Sequence, residues 1–224
     1  MEELKVALFD LDGVVFDTEP QYTEFWRGEC LRYQPDIPNL EQKIKGQTLV
    51  EIYDKYFGHV RSEQPQITQR LNKFETQMHF DYLPGVVEFI LDLRKHGVKT
   101  AVVTSSNRPK MQNVYAQHKE FLDLFDHVFT SEDFTNGKPH PECYLLGAQH
   151  FGASPQVCVG LEDSYNGLRA VCSAQMFVVG LATTNPQEAI LPYADVVWTD
   201  YINKGFKELV SAFKQSKSPQ SASC

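Results

Sequence analysis

Four short stretches of the chain hold residue types that could do chemistry together. Asp10-Leu11-Asp12-Gly13 closes an apolar run. In extended backbone residues i and i+2 project to one side, so both carboxylates enter one space, and Gly13 lets the chain turn sharply beside them. Alone, the pattern serves equally as a capping aspartate before a turn. Thr104-Ser105-Ser106-Asn107 offers short hydroxyls and backbone N–H groups ahead of a helix that opens near Pro109. Such a segment either cradles an anion or caps that helix. Lys138 lies in Gly137-Lys138-Pro139-His140-Pro141-Glu142, where two prolines stiffen the loop and would make the lysine a fixed cation rather than a solvated one. Glu162-Asp163-Ser164 places two adjacent acids where a hard cation such as Mg2+ could bind, or where they could form another cap.

All four stretches follow strand-like runs. Short, continuous, valine-rich segments recur at 6–9, 100–103, 128–130, 157–161, 177–181 and 196–198, the pattern of strands covered on both faces. Helix-period segments alternate with them: Val87, Ile90, Leu91 and Arg94 after Pro84-Gly85, then Met111, Val114, Tyr115 and His118 after Pro109. His96-Gly97 closes the first of these where a C-terminal glycine belongs. The alternation predicts an α/β fold, a Rossmann-like parallel sheet with helices on both faces. In such a sheet ligands gather outside the carboxyl ends of the strands, where all four stretches stand.

One interval breaks the alternation. Between Asp10 and Lys99 no strand is evident, and the apolar residues fall at helical spacing: Tyr22, Phe25, Trp26, Cys30 and Tyr33, then Ile67, Leu71, Phe74 and Met78. A helical domain inserted over residues 17–84 is expected, with the α/β core formed by 1–16 and 85–214 and a Ser/Gln-rich disordered tail at 215–224.

Composition narrows the partners. The 224 residues carry 21 Lys and Arg against 29 Asp and Glu, a net charge of −8, which repels nucleic-acid backbones. No apolar run is long enough to span a membrane, and the acidic start runs straight into a strand, so a cytoplasmic protein is expected. Five cysteines without a C-x-x-C pair argue against a disulfide framework or zinc site.

With these residues in view, the chain resembles the haloacid dehalogenase superfamily of phosphotransferases. The resemblance rests on Asp10-Leu11-Asp12-Gly13-Val14-Val15-Phe16-Asp17-Thr18, Val103-Thr104-Ser105-Ser106, Lys138-Pro139-His140-Pro141-Glu142 and Gly160-Leu161-Glu162-Asp163-Ser164. It extends to about residue 200, includes the position of a helical cap, and is similar to the branch of β-phosphoglucomutase and small sugar-phosphate phosphatases. It implies that Asp10 is a nucleophile forming an aspartyl phosphate, and that Asp12 is general acid and then general base. It also implies that Thr104, the Ser105 amide and Lys138 hold the transferring phosphoryl oxygens, with Ser106 and Asn107 beside them. Mg2+ would be held by Asp10, the Asp12 backbone carbonyl, Glu162 and Asp163. The substrate would be a small phosphorylated metabolite, met by Tyr22, Lys45 and Gly46 of the cap, with a monomer as the working unit.

Two cap positions depart from the mutase pattern. A β-phosphoglucomutase carries a histidine shortly after the first motif and an arginine four residues beyond the lysine of a Lys-Gly pair; this chain has Tyr22 and Leu49 there. Leucine cannot make the bidentate phosphate contact of arginine. Hydrolysis of a phosphate monoester is therefore expected, with a phosphomutase as the alternative. A catalytically silent binding protein is disfavoured, because every residue that the chemistry requires is present.

Overall fold

The computed structural model describes residues 3–216. Strands β1 (Val6–Phe9), β2 (Lys99–Val103), β3 (His127–Phe129), β4 (Cys158–Glu162), β5 (Phe177–Leu181) and β6 (Val196–Trp198) form one parallel sheet ordered β3-β2-β1-β4-β5-β6. Each lies within one residue of the run that predicted it. Valine-rich runs without polar alternation form such strands because both faces are covered. Side-chain parity shows this directly: Ala7 and Phe9 enter the core on one face, and Val6 and Leu8 enter the core on the other.

Eleven α-helices are found among the described residues: α1 (Glu19–Tyr33), α2 (Leu40–Lys43), α3 (Leu49–Tyr56), α4 (Gln64–Glu75), α5 (Val86–Lys95), α6 (Arg108–Gln117), α7 (Phe121–Leu124), α8 (Glu142–His150), α9 (Tyr165–Ser173), α10 (Gln187–Ile190) and α11 (Phe206–Ser216). Apolar residues of α5, α6, α7 and α11, among them Phe89, Val114, Phe121 and Phe213, cover one face of the sheet. Those of α8, α9 and α10, among them Tyr144, Leu168 and Ile190, cover the other.

The chain leaves β1 for β2 on one side and comes back to β1's other side at β4. Phe9 is in register with Val102 and with Leu161, so Asp10, Val103 and Glu162 follow on one level of the sheet edge. A reversal of strand order of this kind opens a crevice at the strand ends.

Helices α1 to α4 stand between β1 and α5 and have their own core of Trp26, Cys30, Leu40, Ile44, Ile52, Phe57, Ile67 and Leu71. Two adjacent passes join them to the sheet, tied by Asp17 N–H to the Asp81 carbonyl at 2.9 Å and Leu83 N–H to the Val15 carbonyl at 2.9 Å. Thr48 and Glu51 form a capping box that fixes the start of α3.

Two expectations are corrected. The period through Ile67, Leu71 and Phe74 does not carry on to Met78: α4 stops at Glu75, the chain turns back toward the sheet, and Met78 is buried in the core there. At the other end, α11 runs through Gln215 and Ser216, which composition alone gave to a disordered tail. The helix buries Leu209 and Phe213, and the Ser216 hydroxyl donates to the Phe213 carbonyl at 3.1 Å, so packing extends the helix past the polar boundary. The rest of that expected tail lies outside the described residues. No disulfide joins the described cysteines, and no helix among the described residues is long and apolar enough to cross a membrane.

Candidate active site

Asp10, Glu162 and Asp163 converge at the ends of β1 and β4, each offering one carboxylate oxygen within 4.8 Å of the others, and all three are buried. Lys138, fully buried, reaches them from the loop after β3. Its Nζ lies 2.5 Å from Asp10 Oδ1, 2.6 Å from Glu162 Oε1 and 3.0 Å from the Val103 carbonyl oxygen. The stiffened loop thus delivers a fixed cation.

Burial disfavours the charged forms of these groups, and their neighbours then decide the outcome. Burial pushes the Asp10 carboxyl up to about 7; Lys138 opposes this, and Glu162 and Asp12 add to it. Burial works against the Lys138 ammonium too, but Asp10 and Glu162 outweigh it and raise its pKa. Asp163 is raised well above the usual carboxylate range by burial and by Glu19, Glu162 and Asp10.

Three buried carboxylates around one ammonium carry more negative charge than a dry pocket sustains unaided. Oxygen donors at this spacing suit a hard divalent cation such as Mg2+. The oxygens are not equally open to an ion. Glu162 Oε1 accepts from Lys138 and from the Tyr144 hydroxyl at 2.8 Å. Its Oε2 accepts from the Asp163 and Ser164 N–H groups at 3.2 and 3.4 Å and from the Ser164 hydroxyl at 3.3 Å. Asp10 gives only Oδ1 to Lys138, and Asp163 gives only Oδ2 to the Thr184 hydroxyl, so each keeps a second oxygen for an ion. Glu162, the third carboxylate of this group, also has both oxygens hydrogen-bonded, Oε1 to Lys138 and Tyr144 and Oε2 to the loop after β4.

Two glycines permit this packing. Gly13 has φ +73°, and a Cβ there would lie 2.2 Å from Asp163 Oδ2; a Cβ at Gly167 would lie 1.9 Å from the Glu162 carboxyl carbon.

Asp12 is held separately. Its Oδ1 accepts from the Thr18 hydroxyl at 2.5 Å, and its Oδ2 accepts from the Ser106 hydroxyl at 3.1 Å and from Lys110 Nζ. Thr104 is buried, and its hydroxyl accepts the Ser106 N–H at 3.0 Å. Asn107 caps α6, accepting the Lys110 N–H at 3.0 Å, and also lines the cavity. The capping alternative describes Asn107.

The helical insertion closes over these groups and leaves a cavity of about 460 Å³. Tyr22, Lys45, Gly46 and Leu49 line it together with Asp10, Asp12, Thr104, Ser105, Ser106 and Asp163. Lys45 pairs with Glu19 at 2.8 Å, both largely buried. The Gly46 carbonyl accepts from the Ser105 hydroxyl at 2.9 Å, and the Lys45 carbonyl accepts from Asn166 Nδ2 at 2.8 Å. The Tyr22 hydroxyl donates to Glu75 Oε1 at 2.8 Å.

Sequence reasoning missed Lys110, Glu75, Asn166 and Thr184, and gave Thr18 no role beyond its place in the first motif stretch. For two of them a signal existed: Lys110 lies one helical turn beyond Ser106, and Glu75 is an acid on the apolar face four residues after Leu71. Asn166 and Thr184 meet their partners only through the tertiary fold.

Residues 4–174 match the family model described as haloacid dehalogenase-like hydrolase. The chain belongs to this family. Among curated relatives, β-phosphoglucomutase of Bacillus subtilis (strain 168) is 29% identical over 200 residues, 82% of this chain and 85% of that protein. Hexitol phosphatase A of Escherichia coli (strain K12) is 32% identical over 181 residues, 79% of this chain and 82% of that protein. The crystal structure of β-phosphoglucomutase from Clostridium difficile superposes with a TM-score of 0.79 at 26% identity, covering 95% of this chain and 98% of the other. The chain is thus a haloacid dehalogenase-like enzyme of the β-phosphoglucomutase-like branch. Its cap wall bears Tyr22, hydrogen-bonded to Glu75, and an aliphatic Leu49.

Proposed function

We propose that this enzyme hydrolyses a small phosphate monoester with Mg2+ through an aspartyl phosphate on Asp10. The observation that carries the reading is that Asp10, paired with the buried Lys138 behind it, lines a cavity into which a second acid, Asp12, also opens.

Asp10 and Asp163 would hold the ion through their open oxygens, with the Asp12 backbone carbonyl, and the ion would offset the negative charge that collects around the phosphoryl group. Asp10 attacks phosphorus; the bond from phosphorus to the ester oxygen breaks as Asp12 gives that oxygen a proton. Lys138, Thr104 and the Ser105 N–H stabilise the phosphoryl oxygens while charge is spread over them. Asp12 then takes a proton from water as it attacks the aspartyl phosphate, releasing inorganic phosphate and restoring Asp10. The helical insertion excludes bulk water and meets the alcohol part of the substrate.

A phosphomutase would need a second phosphate site in the cap. Leu49 gives no cation there, and Lys45 is already paired with Glu19, which supports hydrolysis over isomerisation. The test is phosphate release from a panel of phosphorylated metabolites with Mg2+, beside β-glucose 1-phosphate supplied with a trace of glucose 1,6-bisphosphate. Hydrolysis of a panel member should exceed glucose 6-phosphate formation; faster isomerisation overturns the phosphatase reading.

A further inference from the structure

Lys110 is the least expected charge in the molecule. It occupies the third position of α6, where the positive end of the helix dipole disfavours a cation, and its side chain is 1% exposed. An ammonium is retained in such a place only when its donors are fully used. Here Nζ donates to Asp12 Oδ2 and to the Ser106 hydroxyl at 2.9 Å, and its remaining face lies 4.5 Å from the centroid of the Tyr22 ring.

The same contacts define one geometry for Asp12. Thr18 holds Oδ1 from the insertion's side, and Lys110 with Ser106 holds Oδ2 from the sheet's side, so the carboxyl plane is fixed at the cavity wall. Tyr22 is braced in turn by Glu75, whose carboxyl burial raises and Lys110 opposes. Lys138 serves Asp10, and Lys110 serves Asp12: the two acids have separate cations that are not shared.

We propose that Lys110 is a positioning residue for proton transfer by Asp12, aligning the carboxyl with the ester oxygen of the departing alcohol. This rests on the phosphatase reading above and adds to it a residue outside the motif stretches. It has a chemical consequence. An alkyl alkoxide leaves only when protonated, whereas an aryl oxide leaves unaided, so misalignment of Asp12 should penalise alkyl esters selectively. General acid catalysis contributes about 10²–10⁴-fold in rate, which sets the ceiling of the penalty.

The experiment compares Lys110→Met, Asp12→Asn and the double variant with the native chain, each with Mg2+, on p-nitrophenyl phosphate and on an alkyl phosphate the native chain hydrolyses. Lys110→Met should lose at least about tenfold more kcat on the alkyl ester than on the aryl ester. In the Asp12→Asn background the Lys110→Met substitution should then cost less than about twofold on the alkyl ester. Equal losses on the two esters, or additive losses in the double variant, overturn the assignment while leaving the phosphatase reading intact. A Lys110→Met chain that does not fold is replaced by Lys110→Leu, which also removes the donor and must show the same ester selectivity. Absence of hydrolysis by the native chain overturns the phosphatase reading and this assignment with it.

Discussion

The Ser105 hydroxyl donates to the carbonyl oxygen of Gly46 at 2.9 Å, so the loop that ends β2 is fastened directly to the helical insertion. Asn166, in the first turn of α9, makes a similar bond to the Lys45 carbonyl of the insertion. Each bond is worth about 0.5–1.5 kcal/mol. Asn166 does not line the cavity, so Asn166→Ala isolates docking of the insertion from contact with substrate. The variant should lower kcat/KM by about 2–10-fold, to the same degree across substrates, with little change in melting temperature. Unchanged steady-state kinetics would show that this bond does not hold the closed arrangement.

Charge in the acid cluster should oppose stability when no ion is present. The folded-state pKa of Asp10 is raised to about 7 by burial from an ordinary 3.8, so the folded protein holds a proton that the unfolded chain releases. That contribution is fully present below about pH 4 and is lost as pH rises through about 7. Asp10→Asn removes the group that must be charged, so at pH 8 in chelator it should melt higher than the native chain, by about 2–4 °C for each kcal/mol relieved. Mg2+ should stabilise the native chain more at pH 8 than at pH 5. Melting curves at the two pH values, with and without Mg2+, read both effects; an Asp10→Asn variant that melts lower at pH 8 would contradict the burial argument.

Gly13 meets two demands at once. Its φ of +73° disfavours any L side chain, and its missing Cβ makes room for Asp163. Gly13→Ala should therefore destabilise the fold by about 1–3 kcal/mol and weaken Mg2+ activation by displacing Asp163. Thermal melts and a Mg2+ titration of activity check this. A variant with native melting and native Mg2+ dependence would remove Gly13 from the site's architecture.

The strands were legible because buried parallel strands leave continuous valine-rich runs, with Asp10, Thr104 and Glu162 at their ends and Lys138 in the loop after β3. Composition and periodicity report local preference, however, and Lys110 violates local preference. A lysine at a helix N-terminus reads as solvated until Asp12, 98 residues earlier in sequence, is placed against it. The contacts of Glu162 with Lys138 and Tyr144 were hidden in the same way, since an acidic pair after a strand looks alike whatever neighbours the fold brings to it. Met78 shows the opposite case, a periodic position that a larger core claimed.

The central claim is a covalent phosphoryl group on Asp10, and acid quenching measures it directly. The enzyme is mixed with a ³²P-labelled phosphate ester and Mg2+, stopped in acid within milliseconds, and digested for peptide mapping. The account predicts label on the peptide containing Asp10, formed only with Mg2+, chased by excess unlabelled ester, and absent from Asp10→Asn. Turnover without label on that peptide, or label that persists in Asp10→Asn, would contradict it.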